Sequence, residues 1–295
     1  MSVIFIDLLR LVNLIIPFIP EDNPAFKLLI FRLVILFVSI VVFFGFLNAR
    51  SPRIKNLALD IPKKVSGFKQ LKIAVASDTH LGTIICKSRI EKIVRKINLL
   101  DADLVLLPGD VVDEDIGPVI RQNLGDTLRK IKSKYGVYAI TGNHEYIGGA
   151  EPACKYLEEH GIVELRDRYV KIADSFYIIG REDRAMKSFA GKIRKPLDEI
   201  MKGVDKSLPM ILMDHQPVKL DDAEKEGIDL QLSGHTHHGQ LWPFNFITKK
   251  IYELSMGYKK KGNIHYYVSC GVGSWGPPVR TGSRPEIINL TLIFR

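Results

Sequence analysis

Three of the chain's eight histidines fall within four positions of the segment LSGHTHHGQLWP, Leu232 to Pro243: His235, His237 and His238. Neutral imidazole is the commonest metal ligand in proteins. On an extended segment positions 235 and 237 face the same side, so each could reach a different ion of a pair. Taken alone, a short histidine tract reads equally well as a polar turn. The other donors decide. In order they are Asp78-x-His80, Gly109-Asp110-x-x-Asp113, Gly142-Asn143-His144-Glu145, His215 and Gly234-His235-x-His237. Carboxylate, imidazole and amide oxygen together suit Mn, Fe or Zn better than the all-oxygen shells of Ca or Mg. Two divalent cations about 3.5–4 Å apart call for roughly seven such donors, with a carboxylate bridging.

Groups so distant in the chain need a scaffold that returns them to one place. Past residue 70, strand-like apolar runs end at each cluster: LKIAVASD (71–78), ADLVLLPGD (102–110), GVYAITGNHE (136–145), LPMILMDHQP (208–217) and GIDLQLSGHTHHG (227–239). Between them, KSRIEKIVRKINLL (87–100) carries Ile90, Ile93, Val94 and Ile97 at helical spacing, and IRQNLGDTLRKIKSKY (120–135) also reads as helix. This alternation predicts an α/β fold with largely parallel pairing. Ligands bind at the carboxyl edge of such strands, and five strands that deliver donors to one edge are hard to obtain by accident. The tail segments IYELSM, IHYYVSCGVG and EIINLTLIFR predict further strands, paired antiparallel.

With SDTHLG, GDVVD, TGNHEY, DHQP and LSGHTHHGQ in this order, the chain resembles the calcineurin-like metallophosphoesterase superfamily over roughly residues 70–293. The blocks look most like a bacterial branch of membrane-attached, phosphodiesterase-like proteins. The resemblance implies a metallophosphoesterase-type β-sandwich flanked by helices. It also implies ligands: Asp78, His80 and His237 for a first metal, Asn143, His215 and His235 for a second, and Asp110 bridging. His144 matches the histidine that protonates the leaving oxygen, and Asp113 the carboxylate that orients it. A hydroxide bridging the two metals is the expected nucleophile. His238 departs from the glycine often found there; it either lines the substrate mouth or has no role. Glu114 stands where the protein Ser/Thr phosphatases carry a phosphate-gripping Arg, which disfavours a phosphoprotein substrate.

The first 50 residues are of another kind. LLIFRLVILFVSIVVFFGFL, Leu28 to Leu47, holds one charge, Arg32, in twenty residues, and about 20 apolar residues span a bilayer core. VIFIDLLRLVNLIIPFIP, Val3 to Pro20, has Asp7, Arg10 and Asn13 at helical spacing. It is either a first span, giving a helical hairpin, or a helix lying in the interface. Arg50, Arg53, Lys55, Lys63 and Lys64 follow the strong span while Glu21 and Asp22 precede it. The positive-inside rule then places the globular part on the cytoplasmic face; the extracytoplasmic face is the alternative. The expected organisation is a membrane-anchoring segment (1–50), a linker (51–69) and a catalytic domain (70–295).

The net charge is +9, almost all of it beyond residue 50, which suits an anionic substrate or membrane surface; a nucleic-acid partner is not expected. Cys86, Cys154 and Cys270 are odd in number and widely spaced, so no disulfide framework or cysteine–zinc site is indicated. Two stretches could border the site: Arg181 to Lys195, otherwise a plain basic surface loop, and Gly271 to Glu286 with Trp275 and Arg280. The expected function is a membrane-anchored dinuclear-metal phosphoesterase acting on a phosphodiester or pyrophosphate. Tethering favours a lipid-linked phosphoester, and some relatives of this superfamily cleave UDP-2,3-diacylglucosamine. A nucleotide or cell-wall phosphodiester is the alternative substrate. The contrasting class is a non-catalytic scaffold, against which the intact donor set and His144 both speak.

Overall fold

The computed structural model describes residues 2–13, 15, 16, 20 and 23–295. The acidic pair Glu21 and Asp22, used above for orientation, lies outside them. Two compact units emerge, Met1–Leu47 and Asn48–Arg295.

The first unit is helical. α1 (Ser2–Asn13) has 12 residues, with Asp7 and Arg10 3.9 Å apart on its exposed surface. At 1.5 Å per residue it is too short to cross a hydrocarbon core of about 30 Å by itself. α2 (Pro24–Ala49) has 26 residues and is nearly all apolar and exposed. Asn23 caps its start, the side-chain oxygen accepting from Ala25 N–H at 2.9 Å. Length and composition suffice for this helix to cross a bilayer.

The second unit is a two-sheet sandwich between helices. In chain order its strands are β1 (Arg53–Ile61), β2 (Gln70–Val75), β3 (Leu104–Pro108), β4 (Val137–Ile140), β5 (Ile162–Glu164) and β6 (Arg168–Ile172). They continue with β7 (Phe176–Gly180), β8 (Met210–Met213), β9 (Leu230–Ser233), β10 (Gly257–Lys261), β11 (Ile264–Val268) and β12 (Glu286–Phe294). The helices are α3 (Lys87–Asn98), α4 (Gly117–Arg121), α5 (Gly125–Leu128), α6 (Asn143–Gly148), α7 (Ala150–Glu159), α8 (Met186–Ala190), α9 (Leu197–Ile200), α10 (Asp221–Glu226) and α11 (Phe244–Ile251). One sheet runs β1-β12-β2-β3-β4-β5 and the other β10-β11-β9-β8-β7-β6.

Burial follows the period-two alternation of the strands. Ile73, Val75, Leu104 and Leu106 face inward and pack against Ile178, Ile211, Met213 and Leu232 of the opposite sheet. Their outward neighbours Ala74, Val105 and Ala139 meet Ile90, Ile93 and Val94 of α3 and Leu157 of α7. The second sheet turns Ile179, Leu212 and Tyr266 toward Leu197, Ile200 and Ala223. Burial of each large aliphatic side chain contributes about 1.5–3 kcal/mol.

Parallel registry sets the site. β2, β3, β4 and β5 are mutually parallel, with Val75 opposite Leu106 and Leu106 opposite Tyr138. The loops after β2, β3 and β4 therefore leave one edge together. In the other sheet β7, β8, β9 and β11 are parallel, and Met213 opposite Leu232 brings His215 beside Gly234.

Three expectations need correction. Residues 51–69 are not simply a linker, because β1 lies within them and pairs in parallel with β12 over nine residues. Leu59 and Ile61 bury their side chains there. The span 120–135 is not one helix: Asn123 takes φ 52° and breaks it between α4 and α5. In the tail, IYELSM is no strand, β11 is parallel to β9, and β12 is antiparallel to β2 but parallel to β1. The segment that holds β5, β6 and β7 had no assignment from sequence.

Candidate metal centre

Each donor sits two to five residues past the end of a strand, where the chain must turn sharply. Asp78, His80, Asp110, His235 and His237 all have φ between 45° and 69°, a left-handed region that is costly for residues with a side chain. Such conformations persist where surrounding bonds over-determine them, and these are well determined. Asp78 accepts from the backbone N–H of His235 at 2.8 Å and from the Ser77 hydroxyl. Asp110 accepts from the His144 N–H at 2.9 Å. Glu145 takes three backbone N–H groups, of Asp110 at 3.1 Å, Val112 at 2.8 Å and Gly142 at 2.7 Å. It thus ties the β3 loop to the β4 loop. Buried beside Asp110, its carboxyl is pushed up to about 7.

Two glycines let these loops close. A Cβ on Gly142 would lie 2.1 Å from Asp110 Oδ1, and one on Gly234 would lie 2.2 Å from Asp78 Oδ2.

The seven candidate ligands converge. Asp78, His80 and His237 form one cluster, and Asp110, His215 and His235 another, the donor atoms of each lying within 4.8 Å of one another. His80 Nε2 is 3.0 Å from His237 Nε2, and His237 Nε2 is 3.5 Å from Asp78 Oδ1. His215 Nε2 is 3.1 Å from Asp110 Oδ2, while His235 Nδ1 is 2.7 Å from Asn143 Oδ1. Asp110 Oδ2 is also 3.9 Å from His80 Nε2, which places this carboxylate between the clusters. The segment that carries His235 and His237 is not extended, as expected from parity, but a tight turn ending in a 3₁₀ helix, His237–Gly239. Both rings still enter the site.

The donor set fits divalent cations on two grounds besides its chemistry. His215 donates Nδ1–H to the Pro108 carbonyl at 2.8 Å, which leaves Nε2 a lone pair. That Nε2 is buried and faces the Asp110 carboxylate 3.1 Å away. Asp110 is entirely buried, yet the surrounding imidazoles of His215, His80 and His144 overcome its desolvation and hold it well below the usual carboxylate range. Burial and neighbouring histidines bring His235 down to about 4, so this ring is neutral and able to ligate.

His237 has an additional partner. Arg280, fully buried, places Nη2 2.7 Å from His237 Nδ1 and also donates to the carbonyls of Cys270 and Gly273, each at 2.7 Å. A guanidinium only donates, so His237 Nδ1 accepts and Nε2 carries the proton toward His80. To hold a cation at Nε2, the His237 ring would have to give up that proton.

His144 stands beside this centre, its ring 4.6 Å from that of His80. Its Nδ1 lies 2.9 Å from Asp113 Oδ1, which leaves Nε2 for proton transfer. Burial lowers the His144 pKa, but the Asp113 and Asp110 carboxylates outweigh it and hold the imidazole above the usual histidine value. Asp113 is held below the ordinary carboxylate range by His144 and His80, despite partial burial.

A cavity of about 440 Å³ opens over the site, lined by Asp110, Glu114, Asn143, His144, His235 and His237, and further out by Ile147, Phe244, Tyr252 and Trp275. His238 is not in this lining; it is buried and lies 3.1 Å from the Ser255 hydroxyl. Nor does Arg181–Lys195 line it. Arg181 and Arg194 instead pair with Asp214 at 3.1 and 2.8 Å, while Lys187 to Gly191 are exposed. Arg280, Glu145 and Gln216, which donates to Asp183 at 2.9 Å, support the site without reaching the cavity. Glu145 could have been found in TGNHEY, since an acid three residues after Gly142 can cap the turn there. All three cysteines are free thiols.

A two-sheet sandwich with paired acid–imidazole clusters at one edge defines a class, and the comparisons with known proteins agree. The signature described as Calcineurin-like phosphoesterase matches residues 71–239. An uncharacterized metallophosphoesterase of Helicobacter pylori is 36% identical over 82% of this chain and 64% of its own length. One of Aquifex aeolicus is 32% identical over 81% of this chain and 91% of its own. A transmembrane protein with metallophosphoesterase domain from Danio rerio is 28% identical over 88% and 62%. The chain belongs to the calcineurin-like phosphoesterase family. It spans just under two thirds of the length of its Helicobacter relatives. The family implies divalent cations and hydrolysis of a phosphoester.

Proposed function

We propose that the protein is a membrane-anchored phosphodiester or pyrophosphate hydrolase. Asp78, His80 and His237 hold one cation, Asn143, His215 and His235 a second, and Asp110 both; Mn, Fe or Zn fits this mixed oxygen and nitrogen set. Bound there, such a pair lowers the pKa of a water and neutralises charge on the phosphoryl oxygens. The chain's own residues supply the rest. His144, its pKa raised by the Asp113 and Asp110 carboxylates against the effect of burial, donates from Nε2 to the departing oxygen. Asp113 fixes the ring and its tautomer. Glu114, at the cavity wall, repels a dianionic monoester more than a singly charged diester, which favours the diester.

The reading rests on one observation: His144 with Asp113 behind it, in van der Waals reach of a buried double cluster of donors. We place the anchor in α2, with the basic residues after it on the cytoplasmic face and a lipid-linked phosphoester as the substrate class. Hydrolysis of bis-p-nitrophenyl phosphate with added Mn²⁺ tests the chemistry. Turnover that needs no metal, or that His144→Ala leaves unaffected, refutes it. For orientation, degradation of the globular unit by protease added to intact cells overturns the cytoplasmic placement.

A further inference from the structure

None of the residues of α11 is buried, which among the helices of the second unit it shares with the five-residue α8. α11 lies past the ligand His237 and contributes Phe244 and Thr248 to the cavity, with Tyr252 just beyond its end. Outside the cavity, Phe246, Ile247 and Ile251 are 59, 53 and 66% exposed. Trp242 just before the helix and Trp275 across the cavity mouth are 55 and 53% exposed. A soluble surface scatters single apolar residues; it does not gather two tryptophans with Phe and Ile around one opening.

The chemistry of the patch names its occupant. Tryptophan concentrates at the headgroup layer of membranes. Short amphipathic helices with Phe and Ile beside Lys lie in that layer. Lys249 and Lys250 flank the apolar residues, and no Asp or Glu occurs from Ser233 to Tyr252. That charge is complementary to anionic lipid. Continuity of the chain supplies a bilayer: α2 ends at Ala49 and β1 starts at Arg53. So short a tether gives an effective concentration on the order of millimolar, and a patch of modest intrinsic affinity is seated.

We infer that α11, with Trp242 and Trp275, is a docking surface for an anionic bilayer, set around the mouth of the metal centre. The surface inserts Trp242, Ile247 and Ile251 at the acyl–headgroup boundary while Lys249 and Lys250 stay among the phosphates. The cavity then opens onto lipid headgroups. Given the hydrolytic reading above, on which this last consequence rests, a headgroup phosphoester reaches the site without leaving the membrane.

The chain has two tryptophans, both in this surface, so intrinsic fluorescence reads it directly. The full chain is reconstituted into phosphatidylcholine–phosphatidylglycerol vesicles whose acyl chains carry bromine, a contact quencher. Docking predicts loss of most of the emission relative to unbrominated vesicles, and Trp275→Phe assigns the loss to Trp242. The double variant Ile247→Glu/Ile251→Glu should regain the emission. Lys249→Glu/Lys250→Glu, which alters no apolar side chain, should regain part of it, as should high salt. Equal emission from the two vesicle types overturns the proposal. So does emission that is shielded from water but insensitive to bromine and to lipid charge, which would mark a second copy or another protein on the patch. None of these readings needs turnover. A chain that docks but does not hydrolyse sinks the hydrolytic reading alone, and one that hydrolyses a soluble diester without quenching sinks the docking surface alone.

Discussion

The floor of the cavity and its rim are made by opposite means. On the floor, Asp78, Asp110 and His215 are entirely or almost entirely buried, the two carboxylates held by backbone N–H groups and the imidazole by a backbone carbonyl, and all three packed against glycines that leave no room for a Cβ. On the rim, Phe244, Trp242 and Trp275 are more than half exposed, on a short helix and two loops. A floor of strained, over-determined turns at strand ends can hold donor atoms to within the tolerance that cation binding demands. A rim with few bonds can change with little cost to stability, and there the family's members can diverge in what they admit. Substitutions on the floor should therefore remove chemistry, and substitutions on the rim should redistribute it among substrates.

The largest effect is expected at the carboxylate between the two clusters. Asp110→Asn should lower kcat/KM by on the order of 10³-fold or more and reduce bound metal below two per chain, read by elemental analysis. Retention of two metals with full turnover would break the comparison at its centre. His144→Ala should lower kcat by roughly 10²–10⁴-fold while both metals remain bound, which separates proton transfer from ligation. Chelation tests the floor without mutation. Cations that bind only the folded chain stabilise it, so removing them should lower stability by about 2.7 kcal/mol for each site held at 100 times its Kd, roughly 5 kcal/mol for a pair.

Asp113→Asn is a finer test. The carboxylate holds the His144 pKa above the usual histidine value. A general acid works only when protonated, so activity falls as pH rises through that pKa. Without Asp113 the pKa drops, and the alkaline limb of the kcat profile should move to lower pH. The rate should fall about 10–100-fold, as for other partners that orient a ring. An unmoved limb would assign the limb to a group other than His144.

Much of the floor was legible in the chain because its donors sit at fixed offsets from apolar runs that could only be strands. Asp78, Asp110, Asn143, His215 and His235 each follow such a run, and parallel pairing brings them to one edge. What holds them was harder to read. Arg280 lies 43 residues from His237, and only folding shows its guanidinium behind that ring. The strand β1 was lost because Asn56, Leu57 and Ala58 blur its alternation, and its partner β12 is over 200 residues away. The helix expected over 120–135 failed at Asn123, whose left-handed backbone no periodicity announces. The rim was least legible: Trp242 to Ile251 reads as an apolar stretch that a core could absorb, and the fold leaves it outside.

The smallest effect separates substrate choice from catalysis. Glu114 lines the cavity and its carboxylate is 3.8 Å from His144 Nδ1, but the side chain is half exposed. Water therefore screens its charge, and its effect on a second charge is that of a surface pair, about 0.2–1 kcal/mol. A phosphomonoester dianion carries one more negative charge than a diester and feels that repulsion more. Glu114→Gln keeps the shape and removes the charge. The ratio of monoester to diester kcat/KM should rise about 1.4- to 5-fold, with diester turnover itself little changed and the effect shrinking at high salt. A fall in diester turnover as large as that from Asp113→Asn would show that Glu114 belongs to the proton-transfer pair, and the boundary between floor and rim would then have to be redrawn through it.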